Sequence, residues 1–220
     1  NIVLNDCDIT IHARIGDNLR GDKGCWPRAG FFAISYFIDS INNSLYTCGR
    51  NGFGKNGINR KKPGKFILTK IDDFFNINDV FCSKKHVIGL TKTGHIYGWG
   101  LNNHGQCGQK IYKSVDERRI YRPSLIPFQD IFGYTKYIIN VYIGNNKTII
   151  KDNHHNLYAF GDVVPLINFH FNSNKNVKSC YTPTIMNTIP GIDTKKLIDI
   201  IVSRDCIYFC MQIPCKPTNK

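Results

Sequence analysis

Glycines at short, regular spacings are the residues of this sequence that most resemble a chemical site. They form two triplets with the same spacing, Gly49, Gly54 and Gly57, and then Gly100, Gly105 and Gly108. A Gly-x-x-x-x-Gly loop can cradle a phosphate when Gly-Lys-Ser/Thr completes it between a strand and a helix. That completion is missing here, and a nucleotide site would occur once, whereas this triplet recurs. We therefore interpret these glycines as structural.

Other candidate catalytic and metal-binding groups are scattered. The adjacent His154 and His155 diverge on an extended chain and have no Cys or Asp partner at a ligand spacing. Cys206 and Cys210 fall in a strand-like segment, where small apolar residues are expected. Carboxylate pairs lie beside basic residues, as on an ordinary solvated surface, at Asp72, Asp73, Asp116 and Glu117. We predict no metal site, no cofactor and no enzymatic activity.

An internal repeat organises the chain. Residues 45–57 recur without a gap as residues 96–108, and residues 80–100 align in the same way with residues 141–161. A fourth, partial copy begins at Asp199, which corresponds to Asp79. A Pro-led apolar stretch separates the copies, beginning at Pro63, Pro123 and Pro183. A period of about 50 to 60 residues indicates a repeat architecture.

Each copy is typical of short strands joined by turns. Residues 86–91 predict one strand, residues 92–94 a tight turn and residues 95–100 the returning strand. Gly94 can adopt the positive φ that such a turn requires, and asparagines at 42–43 and at 153–156 occupy the equivalent turns. Four short strands per repeat predict an all-β fold with β-propeller blades. The expected divisions are an N-terminal, strand-containing segment at 1–29 and propeller repeats over 30–220, at about 30–79, 80–140, 141–198 and a partial 199–220.

Residues that recur at fixed repeat positions are expected to pack within or between blades. His86 is expected to form a buried hydrogen bond, and the recurring aromatic residues to fill the core, not to stack on bases. The structural set is Tyr46, Gly49, Gly54, Gly57, His86, Gly94, Tyr97, Trp99, Gly100, Gly105, Gly108, Tyr158 and Gly161.

The pattern over residues 86–108, H-x-x-x-L-T-x-x-G-x-x-Y-x-W-G-x-N-x-x-G-Q-x-G, closely resembles the repeat of the regulator of chromosome condensation family. The copy at 45–57 is similar, with Cys48 where tryptophan is usual, whereas the third and fourth copies lack the glycine loop. The resemblance implies a β-propeller that usually closes seven blades. Because this chain holds about four, we expect a section of a larger ring or a propeller that a partner completes.

The sequence is strongly basic, with 29 Lys and Arg against 16 Asp and Glu and a formal net charge of +13. Such an excess favours acidic partners. Three clusters form a candidate basic binding surface, and the first and third of them are expected on one rim: Arg60, Lys61 and Lys62; Lys84 and Lys85; Arg118, Arg119 and Arg122. An ordinary solvated surface is the alternative. The nine scattered Cys favour a reducing nuclear or cytoplasmic setting, and no run approaches the ~20 apolar residues of a membrane span.

The resemblance implies two functions of different classes. The first is guanine-nucleotide exchange on a Ran-like small GTPase with chromatin association, in which docking energy replaces chemistry. The alternative is a non-catalytic interaction scaffold, free-standing or within a larger protein. A third interpretation is an organellar assembly subunit whose basic charge contacts RNA.

Overall fold

The computed structural model describes residues 9–10, 34–39, 41–49, 51–58, 68–72, 74, 76–110, 118–128, 137–163, 180–186, 189, 191–203 and 206–212. Fourteen strands lie in these ranges. Their bounds are β1 Ile9–Thr10, β2 Ile34–Asp39, β3 Leu45–Gly49, β4 Thr69–Lys70, β5 Ile77–Cys82, β6 His86–Thr91, β7 Ile96–Leu101, β8 Arg119–Leu125, β9 Ile138–Ile143, β10 Lys147–Asp152, β11 Leu157–Gly161, β12 Cys180–Ile185, β13 Leu197–Val202 and β14 Ile207–Met211.

The strands form four antiparallel sheets in chain order. Blade 1 is β1–β4, blade 2 is β5–β8, blade 3 is β9–β12, and blade 4 is the strand pair β13–β14. Each sheet pairs strands in the order of the sequence, without a crossover. This arrangement confirms the predicted all-β propeller architecture with about four blades. The predicted limits at 29 and 30 remain a prediction, and β1, inside 1–29, pairs with β2 of blade 1.

The hairpin turn between the second and third strand of each complete blade uses a residue with positive φ. Asn43 has φ 53° in blade 1 and Gly94 has φ 78° in blade 2. We expected an asparagine to adopt the positive φ in the turn of blade 3. This was wrong, because His155 adopts φ 65° there. Asp152 makes this possible, since its carboxylate accepts hydrogen bonds from the backbone N–H groups of His154 and Asn156 at 2.8 Å and fixes the turn.

The Pro-led stretches supply only the last residues of the outer strands of blades 2 and 3, since β8 and β12 begin before Pro123 and Pro183. The repeat continues where each outer strand ends. At this point a buried residue donates its backbone N–H to the first residue of the third strand. The three pairs are Ile71 to Leu45 at 2.8 Å, Ile126 to Ile96 at 2.9 Å and Met186 to Leu157 at 2.8 Å. One apolar residue directly after each outer strand is therefore buried at the edge of the blade.

The core lies between the sheets, in three layers. Side chains alternate across each strand, so Val87 and Trp99 of blade 2 pack toward blade 1, whereas Ile88 and Ile96 pack toward blade 3. The third layer joins blade 3 to blade 4 and includes Leu157. We call the surface that a sheet turns toward the next sheet its forward face, and the opposite surface its rear face. Among the described residues, no helix is long and apolar enough to cross a membrane.

Candidate functional site

The two glycine loops each lie against the outer strand of the following blade. A side chain at Gly54 would meet the ring of Tyr121 in β8 at 2.9 Å, and one at Gly105 would meet the Cα of Tyr181 in β12 at 2.6 Å. Both glycines also have positive φ, +81° and +82°. Glycine is required because the loop backbone touches the next blade. The loops therefore join blades and do not form a phosphate cradle.

One carbonyl in each loop accepts side-chain hydrogen bonds that cross this junction. In the first loop the Lys55 carbonyl accepts from the Trp99 indole of blade 2 at 2.5 Å, and the Tyr36 hydroxyl of its own blade also donates to it. In the second loop the Gln106 carbonyl accepts from the Thr148 hydroxyl at 2.9 Å. Lys55 and Gln106 occupy the same repeat position. The equivalent acceptor therefore links blade 1 to blade 2, and blade 2 to blade 3.

His86 extends the second junction. Its Nε2 lies 2.9 Å from the Thr148 hydroxyl oxygen, and its Nδ1 lies 2.9 Å from the Ser83 hydroxyl oxygen. Both ring nitrogens therefore lie within hydrogen-bond distance of a hydroxyl, one in each of the two blades. The side chain is fully buried. His86 is thus a neutral structural bridge between two blades.

The surroundings of His86 keep it uncharged. Burial is the main cause that lowers the pKa of His86 to about 3, and the nearby Lys55 and Lys85 lower it further, while a backbone hydrogen bond to Asn145 opposes them. A general acid or base needs a pKa near the working pH. His86 therefore suits packing and not proton transfer.

Two further glycines allow close approach beside this bridge. Any side chain at Gly100 would lie 2.8 Å from the Lys85 carbonyl oxygen, and one at Gly161 would strike the Asn146 carbonyl oxygen. The other glycines of the structural set are also in the left-handed region: Gly49 at φ 109°, Gly57 at φ 70°, Gly94 at φ 78° and Gly108 at φ 68°. Glycine recurs at these positions because the backbone of the repeat has positive φ there.

The repeated aromatic residues lie on the rear faces of the blades. Trp99 is fully buried and meets the Phe74 ring edge to face, with the ring centroids 5.7 Å apart. Tyr97 packs on the same Phe74 ring at 4.7 Å. Tyr158 is buried and donates to the Asp152 carboxylate at 3.2 Å, while Tyr46 is half-buried. None of these rings forms an exposed platform for bases.

Four cations lie at one end of blade 2. Lys84 and Lys85 form the β5–β6 turn, and Arg118 and Arg119 lie where β8 begins. The backbone connects the two pairs: the Leu101 N–H donates to the Lys85 carbonyl at 2.9 Å, and the next N–H donates to the Arg118 carbonyl at 2.7 Å. We call these four residues the basic end of blade 2. Three of them are exposed, whereas Lys85 is half-buried and donates to Asn146 at 2.9 Å.

An aromatic ring lies at the edge of the basic end. The Arg119 guanidinium lies 5.7 Å from the ring centroid of Phe53, a cation–π distance. Phe53 holds φ 64°, which is unusual for a bulky residue. Arg122 is exposed further along β8, away from its start. Arg60, Lys61 and Lys62 lie outside the described residues, so the rim expected for them together with Arg118, Arg119 and Arg122 stays a prediction.

The remaining candidate groups are dispersed. Within the described ranges, no three His, Cys, Asp or Glu side chains approach closely enough to hold a metal ion. His154 is exposed in its turn, and Asp72 is exposed on the surface. Cys206 is an exposed free thiol and Cys210 a half-buried one in the fourth sheet. Asp73, Asp116 and Glu117 lie outside the described residues.

Sequence reasoning missed the residues that complete the junctions. Thr148 is 62 positions from His86 and aligns with Val87, a variable position of the repeat pattern, so the sequence carried no signal for it. Lys55 and Gln106 could have been found, since they align at the same position of two gap-free copies. Their shared feature is the backbone carbonyl, which sequence type does not reveal.

The fold and the junctions define the class of protein as a β-propeller built from repeated blades. Residues 77–106 and residues 93–150 each match the repeat described as "Regulator of chromosome condensation (RCC1) repeat". Residues 77–150 of the chain therefore carry repeats of the regulator of chromosome condensation type.

Several known proteins that are longer than this chain are similar to it. It is 27% identical over 139 residues to the regulator of chromosome condensation of Xenopus laevis, covering 56% of this chain and 31% of that protein. The structure of human WBSCR16 superposes with a TM-score of 0.61 at 14% identity, covering 82% of this chain and 42% of that one. Prp20p of Saccharomyces cerevisiae gives a TM-score of 0.57 at 18% identity, covering 77% and 39%. The chain thus spans less than half the length of these proteins.

Proposed function

We propose that this chain is a protein-binding propeller section that acts on its partner by docking and not by catalysis. The observation that carries the proposal is the basic end of blade 2, where Lys84, Arg118 and Arg119 are exposed together. No described carboxylate forms an ion pair with them. A cluster of exposed cations attracts an acidic partner and accelerates its association.

The most specific form of this proposal is guanine-nucleotide exchange on a Ran-like small GTPase, with chromatin association and a nuclear location. Two observations support it: the match of residues 77–150 to regulator of chromosome condensation repeats, and the similarity to Prp20p, whose structure is described together with its binding to Gsp1p and histones. Exchange requires a docked surface that favours the nucleotide-free GTPase, and no nucleophile or acid–base pair. The basic end would then face the acidic chromatin component.

The exchange proposal is tested by nucleotide release. Ran loaded with a fluorescent guanine nucleotide is mixed with a substoichiometric amount of the intact protein at near-physiological salt, which suppresses nonspecific charge attraction. We expect release to accelerate with each added amount of protein, and Ras loaded in the same way to stay unaffected. Unchanged release from Ran, with the protein shown to be folded by circular dichroism, would contradict the exchange proposal.

A non-catalytic scaffold is the second candidate function. It is favoured by the degenerate third and fourth repeats, because blade 4 consists of only two strands in the described chain and exposes apolar residues. A scaffold would bind an acidic partner through the basic end without changing the nucleotide state of a GTPase. Binding of such a partner together with unaltered nucleotide release would favour this function.

A further inference from the structure

The tip of the first glycine loop carries an aromatic ring that lies outside the core. Phe53 is half-buried, and the three core layers found among the described residues do not include it. Gly52 precedes it, and nothing lies within 4 Å of a Cβ added there, so the space beside the loop tip is open. The ring is therefore within reach of a ligand that approaches the loop.

The backbone at Phe53 is held in a conformation that the glycine loop itself does not require. Phe53 has φ 64°, whereas His104, at the same position of the second loop, does not adopt a positive φ. The glycines that follow them are alike, since Gly54 and Gly105 have φ +81° and +82°. A bulky residue in this region is strained, and such strain is concentrated where proteins bind ligands. The conformation of Phe53 therefore indicates a site in this loop.

The ring lies directly beside the basic end of blade 2. A Cβ at Gly54 would meet the Tyr121 ring at 2.9 Å, so the loop tip rests on β8 two residues beyond Arg119. The Arg119 guanidinium is 5.7 Å from the centroid of the Phe53 ring. Lys84 is exposed at the same end of the sheet. One surface therefore combines exposed cations of blade 2 with a ring of blade 1.

A ring among cations matches the two features of a single-stranded nucleic acid. Cations bind the phosphates, and an aromatic ring stacks on an unpaired base. The Arg119 guanidinium adds a second flat surface on which a base can stack. A duplex offers phosphates but keeps its bases paired, and an acidic peptide offers no base. The ring is thus the element of this surface that distinguishes between acidic partners.

We propose that Phe53 and the basic end of blade 2 bind single-stranded nucleic acid, with an unpaired base stacked on the Phe53 ring and the phosphates on Lys84, Arg118 and Arg119. The inference rests on the basic end that carries the proposed function, but it requires neither a GTPase nor a nucleosome. The phosphate contacts are shared with any duplex, whereas the stacking adds affinity only for unpaired bases.

Fluorescence anisotropy of the intact protein tests this proposal at near-physiological salt. The probes are oligothymidylate and oligouridylate of about 12 nucleotides, a length that one domain covers, and a blunt duplex of the same length. Both single strands should bind. Phe53→Leu keeps the apolar bulk without the ring, so it should weaken single-strand binding at least about fivefold and leave duplex binding unchanged.

The matched control is Tyr137→Leu, which removes an exposed ring beside the Gly94 turn, at the opposite end of the sheet. It should change the affinity for neither probe. Arg119→Gln should weaken single-strand and duplex binding alike, and should reduce the salt dependence of both, because a phosphate contact is lost.

Two further variants separate stacking from folding. Phe53→Gly removes the ring and the strain at positive φ together, so the variant should stay folded by circular dichroism while it loses single-strand affinity. Phe53→Trp keeps a stacking ring and should retain this affinity. The fluorescence of the Phe53→Trp variant should be quenched by oligothymidylate more strongly than that of the wild-type protein, and by the duplex no more strongly than the wild type.

Three results would overturn the inference: Phe53→Leu that leaves single-strand binding intact, Phe53→Leu that weakens duplex binding equally, or oligoglutamate that binds as tightly as oligothymidylate. The exchange proposal fails separately. Unchanged nucleotide release from Ran together with ring-dependent single-strand binding would contradict exchange alone. Accelerated release without single-strand binding would contradict only the inference drawn from Phe53.

Discussion

In both glycine loops a backbone carbonyl accepts a hydrogen bond from the next blade, but the side chains at that position make different contacts. In the first, the Lys55 side chain is buried beside Gly100, with its Nζ donating to the Ser83 carbonyl at 3.3 Å. In the second, the Gln106 side chain folds back on its own loop, donating to Asn103 at 3.1 Å and accepting from the His104 N–H at 2.8 Å. Both residues nevertheless present their carbonyl to the next blade.

This difference shows what the repeat holds constant. The junction depends on loop geometry and on one carbonyl acceptor, and an acceptor on the backbone is available to any residue type. Side chains at the position can change as long as the glycines keep the loop against the outer strand of the next blade. The partner that donates to the carbonyl can change as well, from Trp99 at the first junction to Thr148 at the second.

Among changes at the two junctions, removing Trp99 should lower the free energy of unfolding most, because its side chain is fully buried at the first junction. We expect Trp99→Ala to lower the free energy of unfolding by about 3–5 kcal/mol, the usual cost of truncating a buried aromatic residue. Trp99→Phe, which installs the residue type of the equivalent Phe160, should cost less since only the indole hydrogen bond is lost. Urea unfolding measures both, and equal losses would show that the hydrogen bond alone matters.

The two loop glycines should differ when alanine replaces them. Gly105→Ala places a Cβ against the Tyr181 backbone, whereas Gly54→Ala meets the movable Tyr121 ring. Both acquire strain at positive φ, so we expect losses of about 2–3 kcal/mol for Gly105→Ala and about 1–2 kcal/mol for Gly54→Ala. Gly52→Ala is the control, because nothing lies within 4 Å of its added Cβ. Thermal unfolding compares the three, and a reversed order would contradict the packing described.

The buried His86 should make stability depend on acid. In the folded chain the pKa of His86 is lowered to about 3 by burial, whereas an unfolded histidine titrates near 6.5. Between these values the unfolded state binds more protons, so the contribution is complete above pH 6.5 and is lost as pH falls, by up to about 1.4 kcal/mol per pH unit.

The control for this acid dependence is His86→Gln, which keeps a polar side chain without a titrating group. It should be less stable than wild type at pH 7, because the bridge between Ser83 and Thr148 is altered. Its stability should fall less steeply below pH 6.5 in urea unfolding. Parallel pH profiles for the two proteins would show that His86 is not the responsible group.

Exchanging the loop side chains should have the smallest effect. Lys55 is 7% exposed, and no described carboxylate forms an ion pair with it. Lys55→Gln removes a poorly compensated buried charge, so we expect a gain of about 1 kcal/mol or less. Gln106→Lys should be destabilising in turn, because the amide bonds to Asn103 and His104 are lost. If Lys55→Gln proves strongly destabilising, the Lys55 ammonium is a necessary part of the first junction.

The sequence was sufficient for the parts of the fold that are local. Strands β6 and β7 and the turn at Gly94 follow from short strand-like segments and from glycine placement, and the gap-free repeat extends them to the other blades. Contacts between blades were beyond reach, because Thr148 meets His86 across 62 residues without a motif. The left-handed His155 was missed since its turn depends on the buried Asp152 carboxylate.

The candidate surface was only partly predictable. Clusters of cations are visible in the sequence, but their relative position depends on strand pairing. The structure brings Lys84 and Arg118 to one end because β5 finishes where β8 begins, on either side of the hairpin between them. Spacing along the chain does not encode that proximity, which follows from the antiparallel order of the sheet.

The most direct test of the docking account is nucleosome binding at about 0.15 M salt, where long-range attraction is screened. The double variant Lys84→Glu/Arg118→Glu changes the basic end, and Lys92→Glu/Lys195→Glu makes the same charge change at exposed residues of the opposite end. Fluorescence anisotropy should show binding weakened at least tenfold by the first variant and about twofold or less by the second. Equal losses in both would mean that net charge alone attracts the nucleosome, and would contradict a binding surface at the basic end of blade 2.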